Sequence, residues 1–151
     1  MKNNLFKSET ITEITNRINK LDANSTAKWG TMTVGQMFAH LNVAYEMVYD
    51  DTHKKPNGFV KFMLKLLVKN KVVGDKPFKK NGQTAPQFLM KETKDFVAEK
   101  LRLYDYMDRT KNLGEAHFEG KESHSFGKLT AKEWNTSFYK HLDHHLTQFG
   151  A

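Results

Sequence analysis

TAKEWNTSFYKHLDHHLTQFG, residues 130–150, carries both the start of a helix and a pattern that sets its inner face. Thr130 and Glu133 have capping-box spacing: a threonine oxygen caps a free backbone N–H, and a glutamate three residues on reaches back. Trp134, Phe138, Leu142 and Phe149 then recur at helical spacing, and Gly150 ends the pattern. A helix is expected over 131–148. The same grammar appears at Thr33 and Gln36, ahead of a helix over 34–49 with Val34, Met37, Leu41, Tyr45 and Val48 inward. It appears again at Thr10 and Glu13, ahead of a helix over 11–21 with Ile11, Ile14, Ile18 and Leu21 inward. A further helix is expected over 94–109, with Val97, Leu101, Tyr104 and Met107 inward and with Pro86 or Thr93 as alternative starts. No segment alternates convincingly between apolar and polar residues, so strands are not expected. The reading is all-α: one domain, residues 1–151, forming a four-helix bundle with a long crossover loop that carries a short extra helix.

That loop includes GFVKFMLKLLVKNKVV, in which Lys61, Lys65 and Lys69 fall at i, i+4 and i+8 on one face of an apolar run. The segment 59–69 reads either as a basic amphipathic helix on a membrane surface or as a short helix packing across the bundle with its lysines in water. At about ten residues the second reading is preferred. A second long connection, NLGEAHFEGKESHSFGKL, joins the last two helices as loop.

Composition removes several function classes. There is no cysteine, which excludes disulfides, thiolate ligands and a cysteine nucleophile; a metal site here must use nitrogen and oxygen. The opening MKNNLFKSET has no apolar signal core, and no apolar run is long enough to span a membrane, so a cytoplasmic protein without an integral membrane segment is expected. The net charge is +7, but arginine occurs only at 17, 102 and 109, and the lysines are scattered with modest enrichment from Lys54 to Lys80. Nucleic acid is not the expected partner.

The histidines carry the chemistry. A helix advances about 100° per residue, so His145 projects within the apolar face of the last helix and His141 lies at its edge one turn earlier. His144 is turned roughly 100° from His145, toward solvent. Two imidazoles at i, i+4 can bind one ion. A third ligand should come from another helix, and His40 stands at the edge of the apolar arc in QMFAHLNVAYE. His53, His117 and His124 fall in expected loops and read as exposed, with His124 the most interesting of them. Three neutral nitrogens suit a divalent ion such as zinc or nickel and leave coordination positions open to a small-molecule substrate.

A histidine within the second helix and HxxxH inside HxxHHxxQ on the last resemble the DinB superfamily of four-helix-bundle metalloproteins. WGTMTVGQMFAHLNVAYEMVY, GDKPFKKNGQTAPQF and HSFGKLTAKEWNTSFYKHLDHHLTQFG are similar to an uncharacterised, domain-of-unknown-function branch of it, over residues 29–150. The resemblance implies a metal triad of His40, His141 and His145 and often a homodimer. It also implies chemistry on a low-molecular-weight thiol such as bacillithiol or mycothiol, as in the superfamily's transferases and isomerases. The expected function is a metal-dependent, thiol-dependent transferase or hydrolase, with a non-catalytic metal- or ligand-binding bundle as the alternative. Asn42, Glu46, Tyr139 and Gln148 are candidates to hydrogen-bond the ligands, with Gln148 first, on the His141 side.

Overall fold

The computed structural model describes residues 3–151 and is predominantly helical. In chain order the elements are α1 (Ser8–Ile18), α2 (Val34–Tyr49), α3 (Gly58–Leu67), α4 (Lys69–Val73), a 3-10 turn (Pro86–Phe88), α5 (Phe96–Phe118), β1 (Lys121–Ser123), β2 (Gly127–Leu129) and α6 (Ala131–Gln148). One hydrophobic core gathers Ile14 and Ile18 from α1, Met37, Phe38, Leu41 and Tyr45 from α2, Leu103 and Met107 from α5, and Trp134, Phe138, Leu142 and Leu146 from α6. Tyr45 stacks flat on Phe138 at 4.7 Å between ring centroids, joining α2 to α6 at the centre.

Two of the three capping boxes form with both reciprocal bonds. Gln36 N–H donates to Thr33 Oγ1 at 3.2 Å while Thr33 N–H donates to Gln36 Oε1 at 3.0 Å. Thr130 and Glu133 repeat the exchange at 3.2 and 2.9 Å. The third does not form. Helix α1 begins two residues before Thr10, whose buried hydroxyl instead accepts from Asn4 N–H at 3.0 Å. Residues 4–6 thereby fold back onto the core rather than leading straight into a helix, and Leu5 is fully buried.

Helix α5 differs from expectation in length and face. Asp95 caps it, accepting from Ala98 N–H at 2.7 Å, and it runs through His117 to Phe118 across a kink at Gly114, where φ is 72°. A side chain there would be strained, and glycine lets the helical path resume. Val97 and Leu101, expected inward, are 60% and 57% exposed, whereas Met107, also expected inward, is buried together with Leu103. Two apolar stripes compete on this helix. The one that wins also brings Glu99 to Asn42 Nδ2, at 2.8 Å, and Arg102 to Glu46, giving the buried amide N–H an acceptor and the Glu46 carboxylate a cation.

The connection between α5 and α6 is not all loop. Strands β1 and β2 form a hairpin with Lys121 opposite Leu129, Glu122 opposite Lys128 and Ser123 opposite Gly127. Helix α3 overturns the preferred reading. None of its residues is buried; Phe59, Phe62, Leu66 and Leu67 face outward, while Lys61 pairs with Glu122 and Lys69 with Glu133. Lys61 and, at the start of α4, Lys69 reach back to the protein, Lys65 is exposed, and the apolar stripe faces away. Among the described residues no helix is long and apolar enough to cross a membrane.

Candidate metal centre

The C-terminal half of α6 is held on three sides. Arg17 of α1 donates to Asp143 Oδ1 at 2.8 Å, to Thr147 Oγ1 at 3.1 Å and to the Ala151 carbonyl at 3.0 Å. Lys28 N–H donates to the Gln148 carbonyl at 2.8 Å, drawing the loop after α1 onto the helix end. The third side is α2. There His40 meets the two histidines of α6, with ring centroids 4.9 Å from His141 and 4.4 Å from His145.

His40, His141 and His145 each offer a ring nitrogen, and the three nitrogens lie within 4.8 Å of one another. His40 and His145 are buried and His141 is half-buried. The two α6 rings are 5.0 Å apart, as i, i+4 stacking requires. His144 is not in this cluster. It is half-buried rather than in open solvent, with Trp29 at 5.9 Å and Phe78 at 5.7 Å edge-on to its ring.

The hydrogen bonds fix which nitrogens are free. Gln148 Nε2 donates to the Trp29 carbonyl at 2.6 Å, and a carbonyl only accepts, so the amide nitrogen must face that way. Gln148 Oε1 therefore faces His145 and accepts its Nδ1–H at 2.7 Å. His40 Nδ1–H donates to the Phe88 carbonyl at 2.9 Å. Both imidazoles thus carry their proton on Nδ1 and a lone pair on Nε2. This is the arrangement by which outer hydrogen bonds hold metal-ligating histidines. Gly30 makes the Gln148 bond possible: a Cβ there would stand 2.7 Å from Gln148 Nε2.

His141 Nε2 approaches His40 Nε2 to 2.9 Å. Two bare lone pairs would repel at that distance, so in the metal-free chain one proton of His141 bridges them. Nitrogen–metal bonds of about 2.0–2.1 Å set two ligands of one ion roughly 3 Å apart, so a cation fits where that proton sits. Electrostatics favour the neutral state throughout. Burial, then repulsion between neighbouring imidazoliums, holds His141 well below its ordinary range, and burial brings His145 down to about 3. His40 is lowered by burial too, against the pull of the Phe88 carbonyl. Neutral imidazole is the form that binds a metal.

The rings of Phe88, 5.2 Å from His40 and 5.7 Å from His141, and of Phe78, 6.3 Å from His141, wall the cluster from the crossover side. Beside it, on the flank of His144, an open cavity of about 190 Å³ is lined by Trp29, Phe78, Lys80, Lys140 and His144. Phe78 and the carbonyls of Trp29 and Phe88 did not stand out in the sequence. An aromatic in the turn-rich GDKPFKKN was a usable signal for Phe78; backbone acceptors leave none.

The remaining candidates lie elsewhere. Gln148 serves His145 rather than His141. Asn42 bonds Glu99, Glu46 binds His53 and Arg102, and Tyr139 lies beside Glu13 and Asp143. His53 is half-buried, its Nε2 2.6 Å from Glu46 Oε2. His124, expected to be exposed, is buried: its ring nitrogens meet Ser125 Oγ at 2.8 Å and the His53 carbonyl at 3.2 Å, fastening the hairpin to the loop after α2. His117 is exposed, as expected, but on α5.

Comparison with curated proteins and with solved structures finds no match to this chain. A family model does match, and it covers residues 2–151. The chain therefore belongs to the DUF1569 family, described as proteins of unknown function.

Proposed function

We propose that this chain is a DinB-type four-helix bundle, built from α1, α2, α5 and α6, that holds one divalent ion through His40, His141 and His145. The observation that carries the reading is the pair of fixed tautomers. Gln148 and the Phe88 carbonyl hold the Nδ1 protons of His145 and His40, which leaves Nε2 free on both rings; His40 Nε2 meets His141 Nε2 at 2.9 Å, and one ring nitrogen from each of the three histidines lies within 4.8 Å of the others. Three neutral nitrogens without a carboxylate favour zinc or nickel over magnesium or calcium. Bound there, the ion would supply Lewis acidity that lowers the pKa of a thiol or a water molecule. The chain's own residues do the rest: Gln148 and the Trp29 carbonyl keep His145 in register, and Phe78 and Phe88 limit water at the cluster. The reaction that fits is transfer to or from a small thiol, or hydrolysis of a small molecule, in a metal-dependent enzyme.

Cobalt titration of the untagged protein tests the site. One equivalent should develop visible ligand-field absorption, and His40→Ala should abolish it; equal spectra from both proteins would remove the triad. Kinetics test the enzyme. Metal-loaded protein offered thiols with a panel of electrophiles and esters should show turnover that His40→Ala lacks. Silence across the panel would instead favour a metal- or ligand-binding bundle without turnover, a reading that the closely packed rings of Phe78 and Phe88 over His141 also support.

A further inference from the structure

Helix α3 presents Phe59, Val60, Phe62, Met63, Leu66 and Leu67 to solvent; Phe59 is 74% exposed, and Leu66 and Leu67 are 61% and 62%. At about 100° per residue these six side chains occupy one continuous arc of roughly 160°, with Lys61 and Lys65 on the opposite side. The orientation is fixed by polar bonds. Asn57 caps the helix, accepting from Val60 N–H at 2.9 Å. Lys61 reaches Glu122 on β1, and Lys69 reaches Glu133 on α6 at 2.7 Å. Just beyond, Lys140 of α6 donates to the carbonyls of Lys71 and Gly74, at 2.8 and 2.6 Å, at the end of α4. The segment is strapped to the body by its charged side with its apolar side outward. A helix free to choose would bury that apolar face.

The segment that carries this face is also one-sided in charge. Residues 54–80 hold nine lysines and one acidic residue, Asp75, a net +8 in a chain whose total is +7. The remainder of the chain therefore sums to −1. Lys54, Lys55, Lys65, Lys71, Lys76, Lys79 and Lys80 are all exposed. A second copy of this chain seated on α3 would bring two such segments together and be repelled. The face is also a single projecting helix rather than a groove. It suits a deformable anionic surface, where aromatic and aliphatic side chains enter the headgroup boundary and lysines meet lipid phosphates and carboxylates.

We propose that α3 is an interfacial docking helix that seats the protein on anionic lipid bilayers. Each lysine near such a surface raises partitioning on the order of fivefold at low salt, so the basic segment supplies attraction and the apolar arc supplies insertion.

Cosedimentation of the untagged full chain with vesicles tests this. Vesicles of phosphatidylcholine with about one third phosphatidylserine should pellet the protein at low salt; pure phosphatidylcholine should not, and added salt should release it. The double variant Phe62→Glu, Leu66→Glu should lose roughly tenfold or more in partitioning, with unchanged circular dichroism because both positions are exposed. Lys71→Glu with Lys76→Glu should weaken binding while leaving the apolar arc intact. No pelleting on anionic vesicles at low salt would overturn the proposal. So would equal binding by the double variant, or a solution dimer of the wild-type chain that the double variant dissolves; the last result would assign the face to a second copy.

Discussion

Helices α6 and α3 are both amphipathic, and they face opposite ways. Helix α6 turns its aromatic stripe into the core and brings two histidines with it, and the polar groups of its C-terminal half meet partners: His145 with Gln148, Gln148 with Trp29, His141 with His40. Helix α3 turns Lys61 toward Glu122 and its apolar stripe toward solvent. Periodicity shows that a helix has two faces; the surroundings decide which one the protein keeps. On α6 the decision comes from α2, whose own apolar face supplies a complementary wall. On α3 it comes from Glu122 of β1, which holds Lys61, helped by Glu133 of α6, which holds Lys69 at the start of α4.

The sharpest way to break this contrast is to truncate one large aromatic on each helix. Phe138 is 2% exposed and stacks on Tyr45, so Phe138→Ala should cost about 3–5 kcal/mol in urea unfolding. Phe62 is 57% exposed, and Phe62→Ala should stay within about 0.5 kcal/mol. Similar losses at both positions would mean that α3 is packed.

Proton linkage separates the helices next. The unfolded chain protonates His141 and His145 near 6.5, whereas burial holds the folded chain's His141 well below that and its His145 at about 3. Between those limits the unfolded state binds more protons, so stability rises with pH. This contribution is fully present above about pH 6.5 and is lost progressively on acidification toward pH 3. At pH 5 unfolding of the metal-free chain should take up about one proton through His145 and more through His141, measurable from calorimetric enthalpies in buffers of different ionisation heat. The variant His141→Ala, His145→Ala should lose that uptake, and substitutions on α3 should leave it alone. An unchanged uptake in the histidine variant would contradict the buried, neutral pair.

A smaller effect probes the shell around the ligands. Gln148→Leu removes the acceptor of the His145 Nδ1 proton and frees the ring to turn. Metal affinity by competition with a chromophoric chelator should fall about 10–100-fold with the fold intact. No change would mean that the amide serves packing alone.

These contrasts also explain what was legible in the sequence. The histidine cluster was readable because helix geometry is regular: i, i+4 on α6 and the edge of an apolar arc on α2 are enough to turn three side chains toward a common point. Two capping boxes were readable because their bonds are local. Thr10 was misread because Asn4, folding back, offered its hydroxyl a tertiary partner. The inner face of α5 was read correctly at Tyr104 and Met107 and misread at Val97 and Leu101, where Leu103 faces inward instead; the choice depends on Glu46 and Asn42 of α2, remote in sequence. The hairpin escaped notice because strands of three residues are too short to show alternation. His124 was taken as exposed because its partner is a backbone carbonyl of the loop after α2, and backbone acceptors have no signature in the sequence.

The central claim is that His40, His141 and His145 hold a metal, and elemental analysis tests it most directly. Untagged protein and its His145→Ala variant, purified side by side without added metal or chelator, should differ: close to one divalent ion per chain in the native protein, zinc or nickel, and a small fraction of that in the variant. Equal metal content in the two proteins would contradict the account.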